Sequence, residues 1–133
     1  MNSWLRYLIA VVVVCHSSIY IPLLFVPDML KGWRGRSWLL GRALTGDGLK
    51  ALLVALHVGA GILILASGAA MGFAAWVPGW WRPLAIVGAA LGLAGFAVFW
   101  DGQTRRVVEE GGIGAAISLL LLASAIAVPS AFG

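Results

Sequence analysis

Four long apolar runs divide this chain, and no Asp, Glu, Lys or Arg falls near the middle of any of them. They cover residues 5–26, 49–72, 83–100 and 112–128. Each is close to the roughly 17–25 residues that carry an α-helix across a hydrocarbon core. Lipid offers no partner to a bare peptide group, so a crossing segment must be a helix or a strand of a closed barrel. The runs lack the apolar–polar alternation of barrel strands. The expected fold is therefore all-α, an integral membrane four-helix bundle forming one transmembrane domain over 1–133. An even number of crossings puts both termini on the same side. Composition closes the soluble alternative. Of 133 residues, 62% are hydrophobic and 11% charged, whereas soluble domains run near 45–50% and about 25%. A chain this short has too little interior to hide so much apolar surface from water. A soluble enzyme, a disordered tail and a disulfide scaffold are excluded; Cys15 is the single cysteine.

The residues between the runs agree with this division. Pro27 and Asp28 close the first, and Gly46, Asp47 and Gly48 precede the second, with Asp47 in the N-cap region. Pro78 and Gly79 form a turn, Pro83 sits in a first helical turn, and Asp101 with Gly102 stops the third run. Gly111 and Gly112 open the fourth, and Pro129 closes it. The N-terminal run has no small-x-small cleavage signal and continues past Ile19, so it reads as a retained helix and not as a signal peptide. Lys31, Arg34, Arg36, Arg42, Lys50, Arg105 and Arg106 lie on one side of such a bundle, and only Arg6 and Arg82 on the other. Basic loops stay cytoplasmic, so both termini are expected outside, in a multi-pass protein of a bacterial plasma (inner) membrane. The formal net charge of +4 is then a matter of topology. No nucleic-acid-binding pattern accompanies it. Trp4, Trp76, Trp80 and Trp81 are expected at the outer interface, and Trp33, Trp38 and Trp100 at the inner one. Met29, Leu30, Trp33, Trp38, Leu39 and Leu40, interleaved with arginines, suggest a short interfacial helix in the first cytoplasmic loop. Asp101, Arg105, Arg106, Glu109 and Glu110 make a mixed-charge loop, read as a solvated surface or a docking surface.

Between helices in lipid, close approach of small residues replaces the hydrophobic drive. Gly68 and Gly72, Gly88 and Gly92, and Gly114 and Ser118 form such stripes, suited to packing within the bundle or to a homodimer face. The apolar runs lack the intramembrane acid or base of ion-coupled transport. No phosphate loop, HExxH motif or cysteine cluster is present. Two histidines remain. His16 and His57 fall mid-way along the first two runs, at similar depth in an antiparallel pair. Neutral imidazole ligates metals and haem, and Ser17, Ser18, Gly59, Ala60 and Gly61 beside them are small. Haem b between the two, a polar packing pair and a pocket for another ligand are the readings open. Cys15 reads as a small hydrophobe, and Tyr20 and Pro22 as shaping the end of the first helix.

Two stretches resemble known families. The size, the four helices, and the run from Trp80-Trp81-Arg82-Pro83 to Phe99-Trp100-Asp101-Gly102 resemble small bacterial DoxX-like membrane proteins. This likeness implies a four-helix fold. Tyr20-Ile21-Pro22-Leu23-Leu24-Phe25 resembles the end of the first helix in HemJ-type protoporphyrinogen oxidases, and implies haem binding. The sequence thus leads to a small polytopic membrane protein acting as a non-catalytic packing or accessory subunit. It would bind a hydrophobic ligand near the bilayer midplane, alone, as a homodimer or within a larger membrane complex. The alternatives are a haem b redox protein ligated by His16 and His57, and a membrane enzyme component acting on a quinone or lipid.

Overall fold

The computed structural model describes residues 3–18, 20, 37, 39–40, 46–73, 76–100 and 112–127. Among these the chain forms four helices and no strand: α1 (Ser3–Ser17), α2 (Asp47–Gly72), α3 (Trp81–Phe99) and α4 (Gly112–Ala127). α2 and α3 are long and apolar enough to cross a membrane, while α1 and α4 are shorter apolar helices.

The helix ends follow from local chemistry. Gly46 caps α2 at φ 58°, a conformation that glycine enters without a Cβ clash, and its carbonyl accepts from Lys50 N. Asp47 is therefore the first helical residue and makes no side-chain cap; its carboxylate faces the positive end of the helix dipole. Gly79, at φ 76°, turns the chain from α2 into α3. α1 ends earlier than the first apolar run suggests. The hydroxyls of Ser17 and Ser18 donate to the carbonyls of Val14 and Cys15, both at 2.6 Å. Such back-bonding competes with the helical ladder. Ser18 N then bonds Val14 O and Cys15 O, and Tyr20 N bonds Ser17 O, so the chain turns where the run predicts continuous helix. Ile19 and residues 21–26 lie outside the described residues, as do Met29, Leu30, Trp33, Trp38 and the charged residues of 101–110.

Consecutive helices pack antiparallel. On α3, positions 88, 92 and 95 lack a Cβ that would stand 3.0 Å from Ile64, 3.7 Å from Ala60 and 2.9 Å from His57. Each step up α3 is thus matched by an equal step down α2. On α2, Gly68 lies under Ala10, Val13 and Val14 of α1, where a Cβ would come within 2.8 Å of Val14 Cγ2. Gly72 meets nothing within 4 Å. Buried apolar residues gather into two clusters. One joins Val13, Ile64, Met71, Trp81, Ala85 and Leu121; the other, at the far end of α2 and α3, joins Leu49, Leu53 and Phe99. Around them the outer faces are apolar too: Leu8, Val12, Ile62, Val87, Leu120 and Ile126 are all exposed. Trp4, Trp76 and Trp80 are exposed at one end of the bundle. Trp81, expected beside them at the interface, is instead 1% exposed and packs in the core, because the first turn of α3 points it inward.

Two polar ties hold the ends together. Ser37 Oγ donates to Val98 O at 2.6 Å and accepts from Leu39 N and Leu40 N, fixing the first loop to the last turn of α3. At the opposite end, Arg82 Nε donates to Ala125 O at 2.9 Å. That carbonyl belongs to the last turn of α4, which has no intrahelical donor left for its terminal oxygens. A cation there also meets the negative end of the helix dipole. Arg82→Ala should lower the unfolding free energy in detergent by about 1 kcal/mol, less than a fully buried charged hydrogen bond because the side chain is partly exposed. An unchanged denaturation midpoint would show that the tie carries no stability.

Candidate functional site

Four side chains with polar groups, from α1, the turn after it, α2 and α4, converge at one place. His16 comes from the last turn of α1 and is 4% exposed; Tyr20 follows it by a turn and is buried. His57 comes from α2, and Ser118 from the inner face of α4. Ser118 Oγ lies 3.4 Å from His16 Nε2 and 3.4 Å from Tyr20 Oη, so a hydroxyl on α4 joins two residues from the first part of the chain. The Tyr20 ring meets the His16 ring edge-on at 5.3 Å between centroids, and the His57 ring at 5.9 Å, tilted by 43°. Tyr20 therefore touches both imidazoles.

Glycines make room for these rings. A Cβ on Gly95 would stand 2.9 Å from His57 Cε1, so His57 lies directly on the backbone of α3. A Cβ on Gly114 would come 3.2 Å from Tyr20 Oη, and one on Gly92 3.3 Å from Ser118 Oγ. The small residues here do not merely bring helices together; they admit aromatic side chains into the seam. His57 Nδ1–H donates to Leu53 O, four residues back on α2, at 2.9 Å. This sets the His57 tautomer, because a carbonyl can only accept. His57 Nε2 has no hydrogen bond among the described residues, and His16 Nδ1 is buried without one.

The histidines singled out by the sequence are thus neighbours, joined through Tyr20. Gly92, Gly114 and Ser118 border the same cluster, Gly68 and Gly88 serve the α1–α2 and α2–α3 seams, and Gly72 stands apart. Sequence reasoning did not assign Tyr20, Ser118 or Gly95 to the cluster. Its one sequence signal is the four-residue spacing from His16 to Tyr20; that Ser118 is buried and Ser124 exposed shows only in the fold. A bis-histidine haem needs both imidazoles to face one flat cavity. Here Tyr20 packs against both rings, His16 Nε2 is engaged by Ser118, and a macrocycle would have to displace the tyrosine. The arrangement does not fit that ligation. Among the described residues no group of three or more His, Cys, Asp and Glu side chains converges as a metal site. Cys15, adjacent to His16, is exposed on the outer side of α1.

No family model, curated protein or solved structure matches this chain.

Proposed function

We propose that this chain is a multi-pass protein of a bacterial plasma membrane, with both termini outside. It acts as a non-catalytic accessory subunit that holds a hydrophobic ligand by its polar head. The observation that carries this reading is the His16–Tyr20–His57–Ser118 cluster, set among helices whose outward faces are also apolar. Polar groups inside a bundle that faces lipid are costly unless paired. Two ring nitrogens without a hydrogen-bond partner among the described residues support a ligand over simple packing. The basic residues of the two long loops, and the exposed Trp4, Trp76 and Trp80 at the opposite end, support the orientation.

The ligand and the topology are tested separately. Organic extracts of protein purified in mild detergent should contain a lipophilic compound in near-stoichiometric amount by mass spectrometry, and the double variant His57→Phe/Ser118→Ala should lose most of it. Absence of any such compound, together with no binding of long-chain alcohols or lipophilic quinones by the wild-type protein, would overturn the ligand reading. A Soret band that disappears in both His16→Ala and His57→Ala would replace it with haem. For topology, single cysteines at Ser3 and Ser130 in a Cys15→Ala background should react with an impermeant maleimide in intact cells; protection of both would reverse the orientation.

A further inference from the structure

We infer that the cluster selects a ligand whose head is a hydroxyl group, in preference to an ether or a carbonyl; this rests on the ligand-binding reading above. A neutral imidazole has one N–H and one lone pair. In His57 the N–H is committed at Nδ1 to Leu53 O, so Nε2 can only accept. The other half of the cluster is a chain of three groups, His16 Nε2, Ser118 Oγ and Tyr20 Oη, whose hydrogens can run in either direction. If they ran from Tyr20 to His16, the buried Nδ1 of His16 would carry an N–H with no acceptor. An orphaned buried N–H is rarer in proteins than an unfilled lone pair. His16 Nε2–H therefore donates to Ser118 Oγ. A serine oxygen has two lone pairs, so Tyr20 Oη either donates to Ser118 as well or accepts from it, and in the second case its own O–H has no acceptor among the described residues.

The site thus presents an acceptor on His57 and, on a ring whose centroid lies 5.9 Å away, the Tyr20 hydroxyl, which can donate or accept. A hydroxyl answers both, because it donates through hydrogen and accepts through oxygen. An ether or carbonyl oxygen answers only Tyr20 and leaves His57 Nε2 covered and unpaired. Leaving a desolvated polar group unpaired costs more than a hydrogen bond returns. Lipophilic alcohols and phenols, the reduced form of a quinone among them, are the matching class.

The test uses the full-length protein in nanodiscs with 15N-labelled histidine. The probes are 1-dodecanol and 1-methoxydodecane, which share an alkyl chain and an oxygen and differ in the donor. Dodecanol should bind about tenfold more tightly, the ratio expected when one buried acceptor is satisfied. It should also shift the unprotonated His57 Nε2 resonance in the direction of hydrogen bonding. His57→Phe, which keeps an aromatic ring over Gly95, should bind both probes alike. Equal binding to the wild-type protein, a preference that survives in His57→Phe, or a free-state spectrum with the His57 proton on Nε2 would each overturn the inference and leave ligand binding standing. Failure of both probes to bind would overturn the inference, and, with no lipophilic compound in the organic extract, the reading on which it rests as well.

Discussion

Replacing Gly88 with leucine should part α2 from α3 and lower stability by about 3 kcal/mol, the upper end of what overpacking costs. The geometry leaves little relief. A Cβ at position 88 would stand 3.0 Å from Ile64 N, Ile64 Cγ1 and Leu63 Cβ. One of these is backbone, so no change of rotamer removes the conflict, and the helix itself must move. Moving it would also lift Gly92 and Gly95 away from Ala60 and His57, which loosens the polar cluster. Gly72→Leu is the matched control. It makes the same substitution on a neighbouring helix at a site with nothing within 4 Å, and should change stability by less than about 0.5 kcal/mol. Reversible unfolding in mixed micelles measures both. Equal losses from the two variants would mean that the α2–α3 seam is not the close contact described.

Trp81→Ala should cost a similar amount, about 3 kcal/mol, by removing the largest fully buried side chain. The lower end of the range for large aromatic truncations applies because lipid is as apolar as the bundle interior. What is lost is packing against the cluster that includes Met71, Ala85 and Ala89, and not transfer from water. Trp80→Ala, one residue away and 63% exposed, should leave the unfolding curve in place. A loss below about 1 kcal/mol for Trp81→Ala would show that the core closes over the missing ring.

Much of the fold is legible in the residues between the apolar runs. Gly46-Asp47, Pro78-Gly79 and Gly111-Gly112 mark ends that fall within two residues of the helix boundaries, because these residue types act through backbone conformation and need no tertiary partner. The end of α1 is less legible. Ser17 and Ser18 interrupt the ladder from within an apolar run, and a hydropathy pattern cannot register a hydroxyl that bonds its own helix. Trp81 shows a related limit: adjacent Trp80 and Trp81 share one composition signal, yet the helix phase exposes the first and buries the second. For the cluster, matched depth points to His16 and His57, and the turn after α1 adds Tyr20. Ser118 depends on how α4 is rotated against α1, and its sequence position, 102 residues from His16, carries no trace of that rotation.

The equal-step pairing of α2 with α3 also sets where this chain can change length. A residue added within the turn at 76–80 leaves both helices in phase. One added between Gly88 and Leu91 would rotate everything downstream by about 100°. Leu91 would then occupy the place of Gly92 against Ser118, and Ala94 that of Gly95 under the imidazole of His57. Insertions and deletions in descendants of this gene should therefore collect in the connections, while the spacing from Gly88 to Gly95 stays frozen as a single ruler.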